Sequence, residues 1–309
     1  MTNADQSGHH SYHLPVMLQE SLEGLAIRPD GAYVDCTFGG GGHSRGILGR
    51  LGPEGRLFAF DQDSDARANL PEDSRIVFLP HNFRHLARML RLHDAAPVDG
   101  ILADLGVSSH QFDEGARGFS FRYEGDLDMR MDRRQTLTAF DVVNSWTEPQ
   151  LHRLFEQYGE VTNAKTLARA IVAARGSISL RSIANFKTAL NGVVKGNPNK
   201  YFAQVFQALR IAVNDELGAL KELLQQVPDL LSAGGRVAII TFHSLEDRLV
   251  KNFFKKGSFE DEDPSNSFGQ IEAPPLLKAM TKKPVTPGET ELRQNPRSRS
   301  AKLRIAQRV

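Results

Sequence analysis

The chain has 309 residues, 40% of them hydrophobic and 24% charged. These are the proportions of a globular protein and exclude a disordered or fibrous one. Lysine plus arginine number 38 and aspartate plus glutamate 37. A formal charge of +1 neither demands nor forbids a nucleic-acid partner, so the distribution of charge has to decide. The single cysteine, Cys36, excludes an intrachain disulfide and a cysteine-rich zinc site.

Met1 to His10 is polar and lacks the apolar core of a secretory signal. No run approaches the roughly 18 apolar residues of a membrane span. The expectation is a cytoplasmic protein with no membrane partner. His9, His10 and His13 read as a polar tail, and no metal is assigned to the chain, because no acid or cysteine completes a ligand set around them.

Ala32–Phe38 reads as a first strand, followed by a glycine turn and a helix from Ser44 to Leu51. Arg56–Phe60 and Arg75–Leu79 read as the second and third strands, Leu86–Leu92 as an amphipathic helix, and Val98–Leu105 as the fourth strand. Short apolar runs separated by helical patterns point to parallel β-α-β units, with right-handed crossovers and both sheet faces covered. The rhythm then breaks. Residues 113–215 hold no apolar strand; Thr138–Ala174, Ile178–Val194 and Tyr201–Val213 read as helical, with a turn at Gly196–Lys200. The rhythm resumes with a helix over Glu216–Leu231, a strand over Arg236–Thr241 and a helix over Leu245–Lys256. Residues 257–275 read as a polar surface loop and Lys302–Val309 as a last strand. The expected fold is α/β: a Rossmann-like doubly wound sheet, built from residues 1–112 and 216–309, with a helical domain (113–215) inserted after the fourth strand.

The strongest local signal is Val34-Asp35-Cys36-Thr37-Phe38-Gly39-Gly40-Gly41-Gly42-His43-Ser44. In a doubly wound sheet, ligands sit at the carboxyl ends of the strands. Glycine lets backbone approach a ligand, and helix N-terminal amides receive a carboxylate or phosphate. Asp61 closes the second strand 22 residues after Gly39, where an acid accepts both ribose hydroxyls of an adenosine cofactor. That geometry serves NAD as well as S-adenosylmethionine. Ser44 stands where the dinucleotide fingerprint wants its third glycine, and Asp35 is placed to orient the loop or bind a methionine amino group. Both features favour S-adenosylmethionine.

Seven blocks in order extend this signal: HxPVM (from His13), DCTFGGGGHS (from Asp35), DLGVSS (from Asp104), LDMRMD (from Leu127), FQALRIAVNDEL (from Phe206), TFHSLEDRLVK (from Thr241) and NPRSRSAKLR (from Asn295). Together they resemble the bacterial ribosomal RNA small subunit methyltransferase H family, also called MraW, over about residues 12–308. The resemblance implies a Rossmann-like methyltransferase with a helical insertion. The implied reaction is methylation of the exocyclic N4 of a decoding-region (P-site) cytidine in the 16S ribosomal RNA of the small subunit. It implies S-adenosylmethionine contacts at Gly41, Gly42, His43, Asp61, Phe83, Asp104 and Gln111, with Asp35 and Gly39 supporting the loop. The chain departs from the family at His110, at Asp126 and in Asn197–Val205, all in or beside the insertion, where RNA docking is at stake.

Cytosine N4 delocalises its lone pair into the ring, so an acceptor beside the amine would favour a more nucleophilic nitrogen. Asp104, ending the fourth strand, is the candidate for that role, for cofactor binding, or for both; the usual Asp/Asn-Pro-Pro-aromatic motif is absent. His243, after the fifth strand, is a second catalytic candidate, with Ser244 expected as the cap of the helix that follows. The target base is expected to be unpaired or extruded. Candidate RNA contacts are Arg130, Arg133 and Arg134 in the insertion and Arg297, Arg299 and Lys302 in a tail with six cations and no acid in 18 residues. Two rival readings stand beside this one. A nicotinamide-dependent oxidoreductase is permitted by the glycine turn and Asp61. The other is a non-catalytic RNA-binding ribosome-assembly factor on a methyltransferase scaffold.

Overall fold

A computed structural model describes residues 15–259 and 276–309. Its seven strands are β1 (Ala32–Asp35), β2 (Arg56–Phe60), β3 (Ile76–Leu79), β4 (Val98–Asp104), β5 (Leu231–Thr241), β6 (Leu277–Ala279) and β7 (Lys302–Arg308). They form one sheet in the order β3-β2-β1-β4-β5-β7-β6. The first five strands are parallel. β7 runs antiparallel between β5 and β6. Apart from that inserted strand, the order is the 3-2-1-4-5-6 of the Rossmann fold. The expected α/β class and Rossmann-like sheet are therefore present.

Alternation along the strands explains the layers. Phe58, Ile101 and Ile239 face one side, with α3 (Leu86–Leu92), α10 (Glu216–Leu230) and α11 (Ser244–Lys256) packed over them. Their neighbours Leu57, Leu102 and Ile240 face the other side, under α1 (Leu18–Leu25) and α2 (Gly42–Leu48). Every strand buried on both faces is a nearly continuous apolar run, which is why β1, β2 and β4 were readable.

Between β4 and β5 the chain forms α4 (Ser109–Asp113), α5 (Ala139–Ser145), α6 (Glu148–Gln157), α7 (Ala164–Ala174), α8 (Ile183–Leu190) and α9 (Pro198–Asn214). Helices α5 to α9 close around a core of their own that includes Phe155, Leu167, Phe186 and Leu209. Thr138 and Thr147 open α5 and α6 with reciprocal capping boxes to Asp141 and Gln150, which is what divides the long helical stretch. α9 starts inside the expected Gly196–Lys200 turn, because Asn197 accepts the amides of Asn199 and Lys200. α1, β6 and α12 (Glu289–Gln294) were not expected, and β5 starts five residues before Arg236. The reading of 257–275 as a loop falls, from residue 260 on, outside the described residues, as do His9, His10 and His13. Among the described residues no helix is long and apolar enough to cross a membrane.

Candidate active site

The carboxyl ends of β1, β2, β4 and β5 open into one cleft of about 2080 Å³. A small-molecule site occupies about 300–1,000 Å³, so there is room for a cofactor and a second reactant. Thr37, Gly39, Gly40, Gly42, His43, Asp61, Phe83, Asp104, Gln111 and His243 all line it. Residues from 37 to 243 in the sequence thus converge through the strand ends.

The glycine turn is held from below. Asp35 is fully buried, and its carboxylate accepts the Thr37 amide (3.0 Å) and the Ser44 hydroxyl (2.7 Å). It orients the loop and is not among the residues lining the cleft. Asp61 accepts the Gly39 amide at 2.7 Å and the Asp63 amide at 2.8 Å. A carboxylate has about four lone-pair sites, so half of its capacity still faces the cleft. Burial pushes the Asp61 carboxyl up to about 6, against the two amides that favour its charged form. Gly41 is a glycine for local reasons: its φ is 73°, and a Cβ there would lie 2.9 Å from the Phe38 ring. It caps α2 and is not among the cleft-lining residues. At Gly40 a Cβ would meet nothing within 4 Å, so the backbone there borders open cleft. The Phe83 ring is half-buried, backed by the core under α3, and presents its other side to the cleft.

Asp104 is the focus of the polar wall. Its amide donates to the Thr37 hydroxyl at 2.7 Å, which fixes the end of β4 against β1. Oδ2 lies 3.7 Å from His43 Nδ1. Oδ1 is buried with no hydrogen-bond partner. Burial pushes this carboxyl up to about 7; the His43 ring opposes the rise, and Asp35 and Glu246 add to it. His43 Nε2 is 2.9 Å from the Val16 carbonyl. A carbonyl only accepts, so Nε2 carries a proton, and Nδ1 is the ring atom that faces Asp104.

Gln111 builds the adjoining wall. Its Oε1 accepts the Ser108 amide, capping α4, and its Nε2 donates to Asp63 at 2.7 Å. Asp63 is also paired with Arg117 at 2.8 Å. Buried Arg117 binds Asp65 as well and donates to the carbonyls of Arg130 and Met131, so it joins the strand ends to the insertion. Asn214 completes the joint, accepting the Met131 amide and donating to the Met129 carbonyl. Neither Arg117 nor Asn214 was singled out from sequence. The available signal was slight: Asn214 closes the apolar run Ile211–Val213, and Arg117 lies in a glycine- and charge-rich stretch.

His243, not Ser244, caps α11: its Nδ1 accepts the Glu246 amide. Glu246 accepts the Phe242 amide at 2.9 Å and is itself buried. Burial acts to raise its carboxyl, but His243 and Arg210 outweigh that and hold it low. Ligand-type atoms of Glu216, His243 and Glu246 lie within 4.8 Å of one another. Both Glu216 oxygens are occupied by the Arg210 guanidinium at 2.7 and 2.9 Å, which supplies the counter-charge there.

Most of the cations expected at RNA are tied up by acids. Arg130 makes a two-pronged pair with Asp128 and Arg134 with Asp132, which restrains both side chains. Arg133 is half-exposed on the cleft rim, with Asp65 3.8 Å away. Arg297 lines the cleft, stacks over Phe112 at 5.0 Å and pairs with Asp113. The end of the basic tail is a strand of the sheet, β7, and Lys302 and Arg304 in it both bind Asp247, at 3.1 and 2.6 Å. Arg299 is exposed.

A Rossmann-like sheet with an antiparallel strand between its last two, a glycine turn after β1 and an acid after β2 define a methyltransferase that uses S-adenosylmethionine. The chain belongs to the MraW methylase family, whose model matches residues 10–309. It is 53% identical over 300 residues to a ribosomal RNA small subunit methyltransferase H of Parabacteroides distasonis, covering 96% of this chain and 98% of that one. It is 51% identical to the protein of that name from Bacteroides thetaiotaomicron, over 96% of this chain and 98% of the relative. With the Flavobacterium psychrophilum protein the identity is 50%, over 94% of this chain and all of the other. The residues fit the cofactor. Asp61 has spare acceptor capacity, Gly40 leaves an open cradle, Phe83 offers a ring face, and Asp104 Oδ1 awaits a donor.

Proposed function

We propose that this protein methylates the exocyclic N4 of a decoding-region cytidine in the 16S ribosomal RNA of the small ribosomal subunit, as a cytoplasmic enzyme. The observation that carries the reading is the buried, partnerless Oδ1 of Asp104 at the carboxyl end of β4. A hydrogen-bond donor is the partner that such an oxygen lacks, and an amine is one. The relatives' printed names supply the small-subunit RNA, and the motif resemblance supplies the N4 position.

Asp61 would hold the ribose hydroxyls, Phe83 would cover the adenine, and Gly39, Gly40 and Gly42 would leave room for the rest of the cofactor. His43 and Gln111 act one step back, His43 against Asp104 and Gln111 through Asp63. S-adenosylmethionine supplies an already electrophilic methyl group, so alignment and exclusion of water are what the protein must add. The Asp104 carboxylate would accept a hydrogen bond from N4, turning its lone pair away from the ring. As N4 becomes cationic, its proton would pass to the same carboxylate; a carboxyl near neutrality suits that task. Buried Asp35 fixes the turn, while Arg117 and Asn214 fix the insertion against the strand ends, so the acceptor and donor positions stay in register.

The helical unit of residues 113–215 would grip the RNA. It carries 14 lysines and arginines against 11 acids, a net of +3. Its paired arginines leave Arg133 as the cation on the cleft rim. The test is transfer of labelled methyl to small subunits lacking the modification, followed by nucleoside digestion and mass spectrometry. Label in N4-methylated cytidine is expected. Label in any other nucleoside refutes the acceptor assignment, and no label with intact cofactor binding favours the assembly-factor reading.

A further inference from the structure

A second, shallower groove of about 480 Å³ begins at Arg84, the residue that follows the cleft-lining His81, Asn82 and Phe83. That groove lies on the outer face of α3, along Arg84, His85, Arg88, Arg91 and Gln226. Arg84 is neutralised: it binds Asp215 at 2.6 Å and Glu222 at 2.9 Å. Those are the acids that reach it from the start of α10. Arg88, Arg91 and His85 are exposed, and among the described residues neither arginine takes part in an ion pair. Elsewhere around the cleft the arginines are largely paired, so this row is the concentration of free positive charge that adjoins it. Its field reaches the rim: after burial, the charges of Arg134, His85 and Arg88 hold the His81 ring below its ordinary value.

Spacing matches the charge. At 1.5 Å rise per residue, Arg84 to Arg91 spans about 10 Å. A nucleic-acid strand laid along that length presents more than one phosphate to the row. We propose that the outer face of α3, centred on Arg88 and Arg91, is a phosphate-backbone track that holds the RNA strand next to the target nucleotide as it enters the cleft. This rests on the reading of the substrate as RNA. Phosphate contacts set register without reading sequence, so the track would act on substrate binding and leave the chemical step alone.

The test is the double variant Arg88→Glu/Arg91→Glu in the full chain, with Arg56→Glu as control at the exposed amino-terminal start of β2, outside both grooves. Binding of a labelled decoding-region RNA and of unmodified small subunits is measured across a salt series, alongside methyl transfer and cofactor affinity. The double variant should bind RNA at least ~10-fold more weakly at low salt, with a salt slope shallower by about 1–2. Its KM for RNA should rise, while kcat at saturating RNA and cofactor affinity stay at wild-type values. Arg56→Glu should change none of these. If charge reversal unfolds the helix, Arg88→Gln/Arg91→Gln should still flatten the slope. An unchanged salt slope and KM overturn the proposal. Weakened binding to the intact subunit with unchanged binding to naked RNA also overturns it, since the partner would then be an acidic protein surface. If the wild-type protein methylates no RNA, it is the substrate reading that fails, and the salt slopes still score the track separately.

Discussion

Asp104 Oδ2 stands 3.7 Å from His43 Nδ1, across the junction of β4 with the glycine turn. His43 Nε2 donates in turn to the Val16 carbonyl at 2.9 Å, so Nδ1 is the ring atom left to Asp104. The two groups can hold one proton between them or leave Asp104 as a bare carboxylate. The proposed chemistry needs the second state.

Methyl transfer should therefore depend on the ionisation of Asp104. Its carboxyl is pushed up to about 7 by burial, so kcat/KM should fall as pH drops below about 7 and level off above it. A pH–rate profile of the wild-type enzyme checks this. A rate that stays flat from pH 8 down to pH 5 would remove Asp104 as proton acceptor.

Stability should run the opposite way in the absence of ligands. Asp61 and Asp104 are pushed up to about 6 and about 7, above the ordinary carboxylate range. Between about 4 and about 7 the folded state then binds more protons than the unfolded one, and stability falls as pH rises. Melting temperatures across that window should show the decline, and Asp61→Asn and Asp104→Asn should each flatten it.

Asp61→Ala should weaken cofactor binding about 10- to 100-fold, the range for loss of charge-assisted hydrogen bonds. The Gly39 amide loses its acceptor in the same variant, so the turn itself should loosen. Calorimetry with S-adenosylmethionine measures the effect. Wild-type affinity would take Asp61 out of the cofactor site.

Arg117→Ala should destabilise the fold by about 3–5 kcal/mol, because Asp63 and Asp65 would lose a buried counter-charge. Denaturant unfolding gives the value. The loss should also loosen the 129–131 segment, seen as faster amide exchange at Met129 and Met131.

Much of this was legible in the sequence because parallel strands buried on both faces must be apolar runs. Val34, Phe58, Ile101 and Val237 announce themselves in that way, and the turn after Asp35 and the acid at Asp61 mark the strand ends. Helix α1 was missed although Leu18, Leu22 and Leu25 have helical spacing, because no strand stood before them to call attention to it. The pairing of charges was not legible. Asp128 with Arg130 and Asp132 with Arg134 are two residues apart, and only the folded turn turns each into a closed pair. Asp247 binding Lys302 and Arg304 is a contact across 55 and 57 residues, which fastens the last part of the basic tail into the sheet. The His43–Asp104 approach likewise depends on β1 and β4 lying side by side.

Single-turnover methyl transfer by Asp104→Asn, set beside its affinity for S-adenosylmethionine, tests the central claim most directly. The amide keeps the size of the side chain and removes the proton acceptor. The account predicts a rate reduced about 10²- to 10⁴-fold, with cofactor affinity within a few-fold of wild type. Loss of affinity with an unchanged rate at saturating cofactor would make Asp104 a cofactor ligand only. Wild-type values for both would contradict the assignment altogether.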